Sequence, residues 1–188
     1  LLMSFYNRID SVMIERMLPD GDVQSGIYAQ GFRILDATNM IAFLVAGVLL
    51  PVFSRMLKQK DSVESLVKLI STLLLAPAIV IGVGCAFYNT ELIGYLYYKD
   101  IDKIINPDEL AVATMHLSES SKIFSLLMLS FIAVSTSYIF GTLLTANGNM
   151  RQLNYMAASG MILNIVLNFI LIRQLEAYGS SISSMFTQ

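Results

Sequence analysis

Charge is what this chain has least of. Asp, Glu, Lys and Arg make up 14% of its 188 residues, where a soluble domain carries about a quarter. Twelve basic residues against fourteen acidic ones leave a net charge of −2. That balance excludes the basic footprint of a nucleic-acid binder, and no nucleic-acid partner is expected. A single cysteine, Cys85, excludes an internal disulfide framework and any multi-cysteine metal site. A single histidine, His116, leaves no His pair and argues against a conventional zinc enzyme. The sequence has no Gly-x-Ser-x-Gly elbow, Walker motif or His-Glu-x-x-His, so neither enzymatic activity nor a cofactor is expected. What remains is apolar: 55% hydrophobic residues, a mean hydropathy of +0.64, and 11 Met, 10 Phe and 9 Tyr but no Trp. The class these numbers leave is the polytopic membrane protein.

A bilayer core about 30 Å thick needs about 20 apolar residues in a helix, and unpaired backbone in lipid restricts spans to helices or closed barrels. The long apolar runs here lack the period-2 alternation of barrel strands, so the expected fold is an all-α, polytopic transmembrane helical bundle. Spans are predicted at about 1–18, 23–57, 63–88, 118–146, 152–172 and 177–188, the last cut short by the end of the chain. Pro19-Asp20-Gly21-Asp22 and Asn147-Gly148-Asn149 mark turns. Pro51 and Pro77 suggest kinks or stops. Residues 89–117 read as an extramembrane connection, in which Asn106-Pro107-Asp108 caps a new helix. The opening Leu1-Leu2-Met3-Ser4-Phe5 has no basic region or cleavage motif and is not expected to act as a signal peptide. With the apolar run at the other end, it suggests a fragment of a longer polytopic chain. The tight cluster Arg55, Lys58, Lys60 favours its own side as cytoplasmic, although the two sides nearly tie in Lys and Arg.

Charges within spans are costly and normally face a cavity or a partner. Ser4, Asn7, Arg8, Ser11 and Glu15 fall on one helical face with Asp10 at its edge, and Ser25, Arg33, Asp36 and Asn39 form a second stripe. Two consecutive polar faces imply a water-filled cavity between them. Arg33 and Arg8 are candidates to grip a phosphate or carboxylate, because a guanidinium offers a planar, permanently charged fork. Structural readings stand beside this one: Arg33 could pair with Asp36 or Asp10, and Arg8, Glu15 and Arg16 could reach a membrane surface. Asp10, Asp36 and Glu15 are charge partners of the arginines or groups that respond to a coupling cation. Asn154, Asn164 and Asn168 share one stripe, suited to locking helices together or to lining a path. Gly82-Val83-Gly84 reads as packing, His116 as a solvated or capping residue, and Cys85 as an inert thiol.

Tyr6-Asn7-Arg8-Ile9-Asp10-Ser11-Val12-Met13-Ile14, Gly26-Ile27-Tyr28-Ala29 and Leu50-Pro51-Val52-Phe53-Ser54-Arg55 resemble the bacterial polysaccharide transporter family. These are Wzx-type flippases, within the larger group that holds the multidrug and toxin extrusion transporters and the lipid II flippase. Gly141 to Asn149, Asn164 to Asn168 and Tyr178-Gly179-Ser180-Ser181-Ile182 resemble later motifs of that family, in order. Ser180, Ser181, Ser183 and Ser184 depart from it, standing where alanines are usual. The resemblance implies the second half of a two-lobed transporter, beginning at the seventh span. It would sit in the bacterial cytoplasmic (inner) membrane and flip an undecaprenyl-diphosphate-linked oligosaccharide for surface polysaccharide such as O-antigen. Binding would lie near the midplane of a cationic cavity between rocking lobes, formed by Arg8, Arg33 and Asn39. Coupling to H⁺ or Na⁺ stays open. Partners implied are the lipid-linked oligosaccharide, membrane lipids and polysaccharide polymerase machinery. The alternatives are a multidrug/cation antiporter or a lipid II flippase of the same group; a membrane glycosyltransferase would need catalytic acids on a larger loop.

Overall fold

A computed structural model describes the backbone of residues 2–188 and the side chains of residues 9–188. The chain forms α1 (Leu2–Met17), α2 (Gly21–Gln59), α3 (Glu64–Phe87), α4 (Asn89–Tyr97), a single 3₁₀ turn at Ile101–Lys103, α5 (Pro107–Ala146) and α6 (Met150–Thr187). There is no strand among the described residues. Four of the helices, α2, α3, α5 and α6, are long and apolar enough to cross a membrane, and the protein is an all-α polytopic bundle. Its outward apolar surface fits a lipid solvent: Met40, Leu44, Val48, Leu73, Val80 and Phe87 all stand exposed.

α5 is the central helix, packed against both α2 and α3, with α4 and α6 also touching it. Two glycines allow the close crossings. A Cβ at Gly31 of α2 would lie 3.1 Å from the Phe124 Cα, and one at Gly82 of α3 would lie 2.8 Å from the Met128 carbonyl oxygen. Small residues at helix contacts are how bundles gain van der Waals packing where lipid offers no hydrophobic drive between helices. The main core gathers Ile14, Tyr28, Leu35, Phe124, Leu127 and Met128. A smaller cluster of Leu49, Phe53, Ile70 and Ile139 joins α2, α3 and α5 toward the other end.

α5 starts where its cap is. The Asn106 side chain accepts a hydrogen bond from the Asp108 N–H at 3.1 Å, with Pro107 in the first turn. The helix therefore begins eleven residues ahead of the expected span at 118, its polar first turns forming a helical extension. Pro51 and Pro77 lie inside continuous helices. Proline has no N–H to donate, but at an interior position this removes only one backbone bond, and packing carries both helices through it.

α6 is broken at Glu176, where φ 54 and ψ −140 leave the helical region. The arms 150–175 and 177–187 fold back on one another as a tight hairpin. A Cβ at Gly179 would lie 2.3 Å from the Leu171 carbonyl oxygen, and the Asn164 Nδ2 donates to the Thr187 hydroxyl at 3.2 Å. Gln24 of α2 pins the turn by accepting from the Ala177 N–H at 3.4 Å, while its own Nε2 reaches Glu119 of α5 at 3.5 Å.

Candidate functional site

The inner stripe of α2 runs Gln24, Ile27, Tyr28, Gly31, Leu35, Ala42, Ala46, Leu49 and Phe53 at helical spacing. It turns Tyr28 toward α1 and the α6 hairpin. On α1, Asp10 and Ile14 lie one turn apart and are both buried. On the first arm of α6, Asn164 and Asn168 are likewise one turn apart. On the second arm Ser180, Ser183, Ser184 and Thr187 recur at three- and four-residue spacing. These four surfaces meet at one carboxyl group.

Asp10 is 4% exposed. Its Oδ2 accepts from the Ser184 hydroxyl at 2.5 Å and from the Tyr28 hydroxyl at 3.0 Å, and its Oδ1 accepts from Asn168 Nδ2 at 2.6 Å. The Tyr28 and Ser184 hydroxyls are themselves 3.3 Å apart. Asn168 Nδ2 also donates to Asn164 Oδ1 at 3.0 Å, and Asn164 passes the chain on to Thr187. All these donors are neutral. Among the described residues the ion pairs are Lys68–Glu64 and Lys103–Asp100, both on exposed surface and neither near Asp10. The cluster also keeps oxygens in reserve: Asn168 Oδ1 and Ser180 Oγ are buried with no hydrogen-bond partner.

A carboxyl group inside an apolar bundle is costly unless its charge is matched. Three neutral donors match it partly. A carboxylate flanked by amide and hydroxyl oxygens is a hard-oxygen environment of the kind that takes up a proton or a small alkali cation.

The structure brings together Asp10, Asn164 and Asn168 and leaves the other described sequence candidates apart. Arg33 and Asp36 are exposed on the outer face of α2, and neither takes part in an ion pair with a described residue. Asp10 does not hold Arg33; it faces the hairpin, on the opposite side of α2. Glu15 and Asn154 are also exposed. Asn39 is half-buried, with a buried Oδ1 that has no partner. The Arg8 side chain lies outside the described residues. Among the described residues, packed side chains around Tyr28 and Ile14 fill the contact of α1 with α2; Ser4 and Asn7, which carry the expected polar face of α1, lie like Arg8 outside the described side chains. The outer face of α2 carries Arg33 on open surface. Sequence reasoning missed Tyr28 and Ser184 as partners of Asp10, and Thr187 as the partner of Asn164. The signal was present in the serine run of the second arm, where four hydroxyl residues recur on one helical face.

Residues 1–57 match a family model described as polysaccharide biosynthesis protein. The matched stretch holds α1 and nearly all of α2, including Asp10, Tyr28, Arg33 and Asn39. No curated protein and no solved structure matches the chain.

Proposed function

We propose that the chain is a lobe of a flippase. It would carry an undecaprenyl-diphosphate-linked oligosaccharide across the bacterial cytoplasmic membrane for surface polysaccharide synthesis, by alternating access and without covalent chemistry on the cargo. The observation that carries the transport reading is the buried Asp10 carboxyl, held by neutral groups from α2 and both arms of α6. An ionisable group placed so deep, without a described cationic partner, is the mark of an ion or proton path. The similarity of residues 1–57 to polysaccharide biosynthesis proteins supports the cargo class. In this reading Arg33, exposed on the outer face of α2, grips the diphosphate. Asn39, one to two turns further along the same helix, adds an amide, and Arg8 is a second cation. Asp10 takes up the coupling cation, with Asn164, Asn168, Ser184 and Thr187 supplying further oxygens. Uptake removes the uncompensated negative charge and so shifts the balance between lobe arrangements. Asp36 and Glu15, both exposed, tune the field around the arginines. The Arg55–Lys60 end of α2 faces the cytoplasm.

The test is genetic and chemical together. The gene is deleted, and both surface polysaccharide and lipid-diphosphate-linked oligosaccharide on the inner leaflet are followed, with rescue by wild type, Arg33→Ala or Asp10→Asn. Surface loss with inner accumulation, rescued by wild type and by neither variant, is the expected result. Unchanged polysaccharide with altered drug sensitivity would sink the flippase reading and favour a multidrug/cation antiporter. Rescue by Arg33→Ala alone would leave transport standing and remove that arginine from the path.

A further inference from the structure

We infer that the C-terminal end of α2 is a docking site for one anionic membrane phospholipid, its phosphate headgroup in a groove at the helix end and an acyl chain along the helix. An open groove of about 450 Å³ is lined there by Pro51, Ser54, Arg55, Lys58 and Gln59. Every polar side chain in that lining offers a hydrogen-bond donor, two are cations and none is an acid, which selects for a phosphate oxygen over a neutral or cationic group. Arg55 and Lys58 are exposed and belong to neither ion pair found among the described residues. The acid at the start of the next helix, Glu64, is engaged by Lys68 at 2.7 Å. The helix ends just beyond, at Lys60 in the left-handed conformation with φ 59, where Asp61 follows and offsets that third cation, so the field at the groove is that of Arg55 and Lys58.

The other half of the argument is the surface leading to the groove. Met40, Leu44 and Val48 are 66%, 67% and 69% exposed and precede Pro51 and Arg55 at steps of three or four residues, so they form one face. From Met40 to Pro51 the strip is about 16 Å long at the rise of an α-helix. At its middle a Cβ on Gly47 would meet nothing within 4 Å, leaving a shallow furrow. A cationic headgroup site continuous with an apolar strip is the shape of a phospholipid, and a free phosphate would use only half of it. The strip continues the helix face that carries Arg33, seven residues before Met40, so the lipid lies beside the part of α2 that the transport reading gives to cargo.

The experiment uses the purified 188-residue chain in mild detergent, titrated with phosphatidylglycerol or phosphatidylcholine and read by native mass spectrometry. Parallel runs use Arg55→Gln/Lys58→Gln, the charge-keeping Arg55→Lys/Lys58→Arg, and Lys99→Gln/Lys103→Gln at the other end of the bundle. One phosphatidylglycerol is expected to be retained in preference to phosphatidylcholine. The neutral double variant should weaken it about 30-fold, from the usual strength of two surface cations toward anionic lipid. The charge-keeping and distal variants should bind as the parent does, which also shows that loss is not misfolding. Equal retention of both lipids, or undiminished retention by the neutral variant, overturns the site. Displacement of the lipid by millimolar inorganic phosphate would also overturn it, because the groove would then be a free-anion site.

Discussion

Replacing Asp10 by Asn separates holding the fold from carrying charge. Asn has the shape of Asp, and the hydroxyls of Tyr28 and Ser184 accept as readily as they donate. The new amide can therefore keep all three hydrogen bonds now made at 2.5, 2.6 and 3.0 Å. Charge-assisted bonds of about 2 kcal/mol each become neutral bonds of about 1 kcal/mol each, a loss of about 3 kcal/mol over three bonds. Against this, a carboxylate buried in the bundle costs about 3 kcal/mol, the order of the cost of a charge in an apolar medium, and that cost disappears. The two nearly cancel. Asp10→Asn is expected to melt within about 3 °C of the parent, since about 1 kcal/mol moves a domain of this size by 2–4 °C.

Asp10→Leu has a different balance. It also removes the charge, but it removes both acceptor oxygens and with them all three bonds, about 6 kcal/mol of hydrogen bonding against about 3 kcal/mol regained. A net loss of about 3 kcal/mol lowers Tm by about 6–12 °C. The assay is thermal unfolding in detergent followed by circular dichroism, because the chain has no tryptophan to report. It is paired with surface-polysaccharide rescue in cells, where neither variant should function. Two results would refute the reasoning: Asp10→Asn melting with Asp10→Leu, or Asp10→Asn restoring full polysaccharide.

Glu176 sits at φ 54, ψ −140, a region that only glycine occupies without strain, so Glu176→Gly should raise stability by about 1 kcal/mol or more in the same melt. Gly179→Val should do the reverse and lower Tm by more than Asp10→Leu. Its Cβ would start 2.3 Å from the Leu171 carbonyl oxygen, and opening the hairpin to relieve that clash pulls Ser184 away from Asp10. Phe124→Ala, in a residue 1% exposed between α2 and α5, should cost about 3 kcal/mol of cavity and lost contact, measurable as a Tm drop with no change of helical content.

The helices were legible because hydropathy and turn chemistry are local. Asn106-Pro107-Asp108 announced a cap, and the structure forms it with that asparagine. What the sequence does not carry locally is which polar face turns inward. In α2 the charged stripe at Arg33 and Asp36 looked like the interior face, but the buried stripe is the one with Gly31, Ala42 and Ala46, and the bare Gly31 lets α5 approach. Helix contacts in a bundle are chosen by closeness of fit, and two long charged side chains prevent it. The partners of Asp10 were hidden for another reason: Asn168 and Ser184 lie 158 and 174 residues away along the chain. Only the folded hairpin brings them to α1. Their hydroxyl and amide pattern marked a polar helix face without saying what it met.

In the proposed mechanism α2 itself connects the two chemistries. Tyr28 touches Asp10 on its inner side, and Arg33 stands five residues later, about 7.5 Å along the axis and turned by about 140°. A helix is stiff over one and a half turns, so a displacement at Tyr28 reappears at Arg33 with little loss. Tyr28 is fully buried and stacked on Phe32 at 5.9 Å, so it cannot yield alone when the carboxyl gains or loses a cation. The same event acts on Ser184, whose arm is tied to the first arm of α6 through a tight turn and the Asn164–Thr187 bond. A purely structural lock would have no need of a carboxyl here, since amides and hydroxyls could satisfy one another without the cost of a charge. The charge has a use if its occupancy changes, and the surrounding contacts convert that change into movement of α2 against the hairpin.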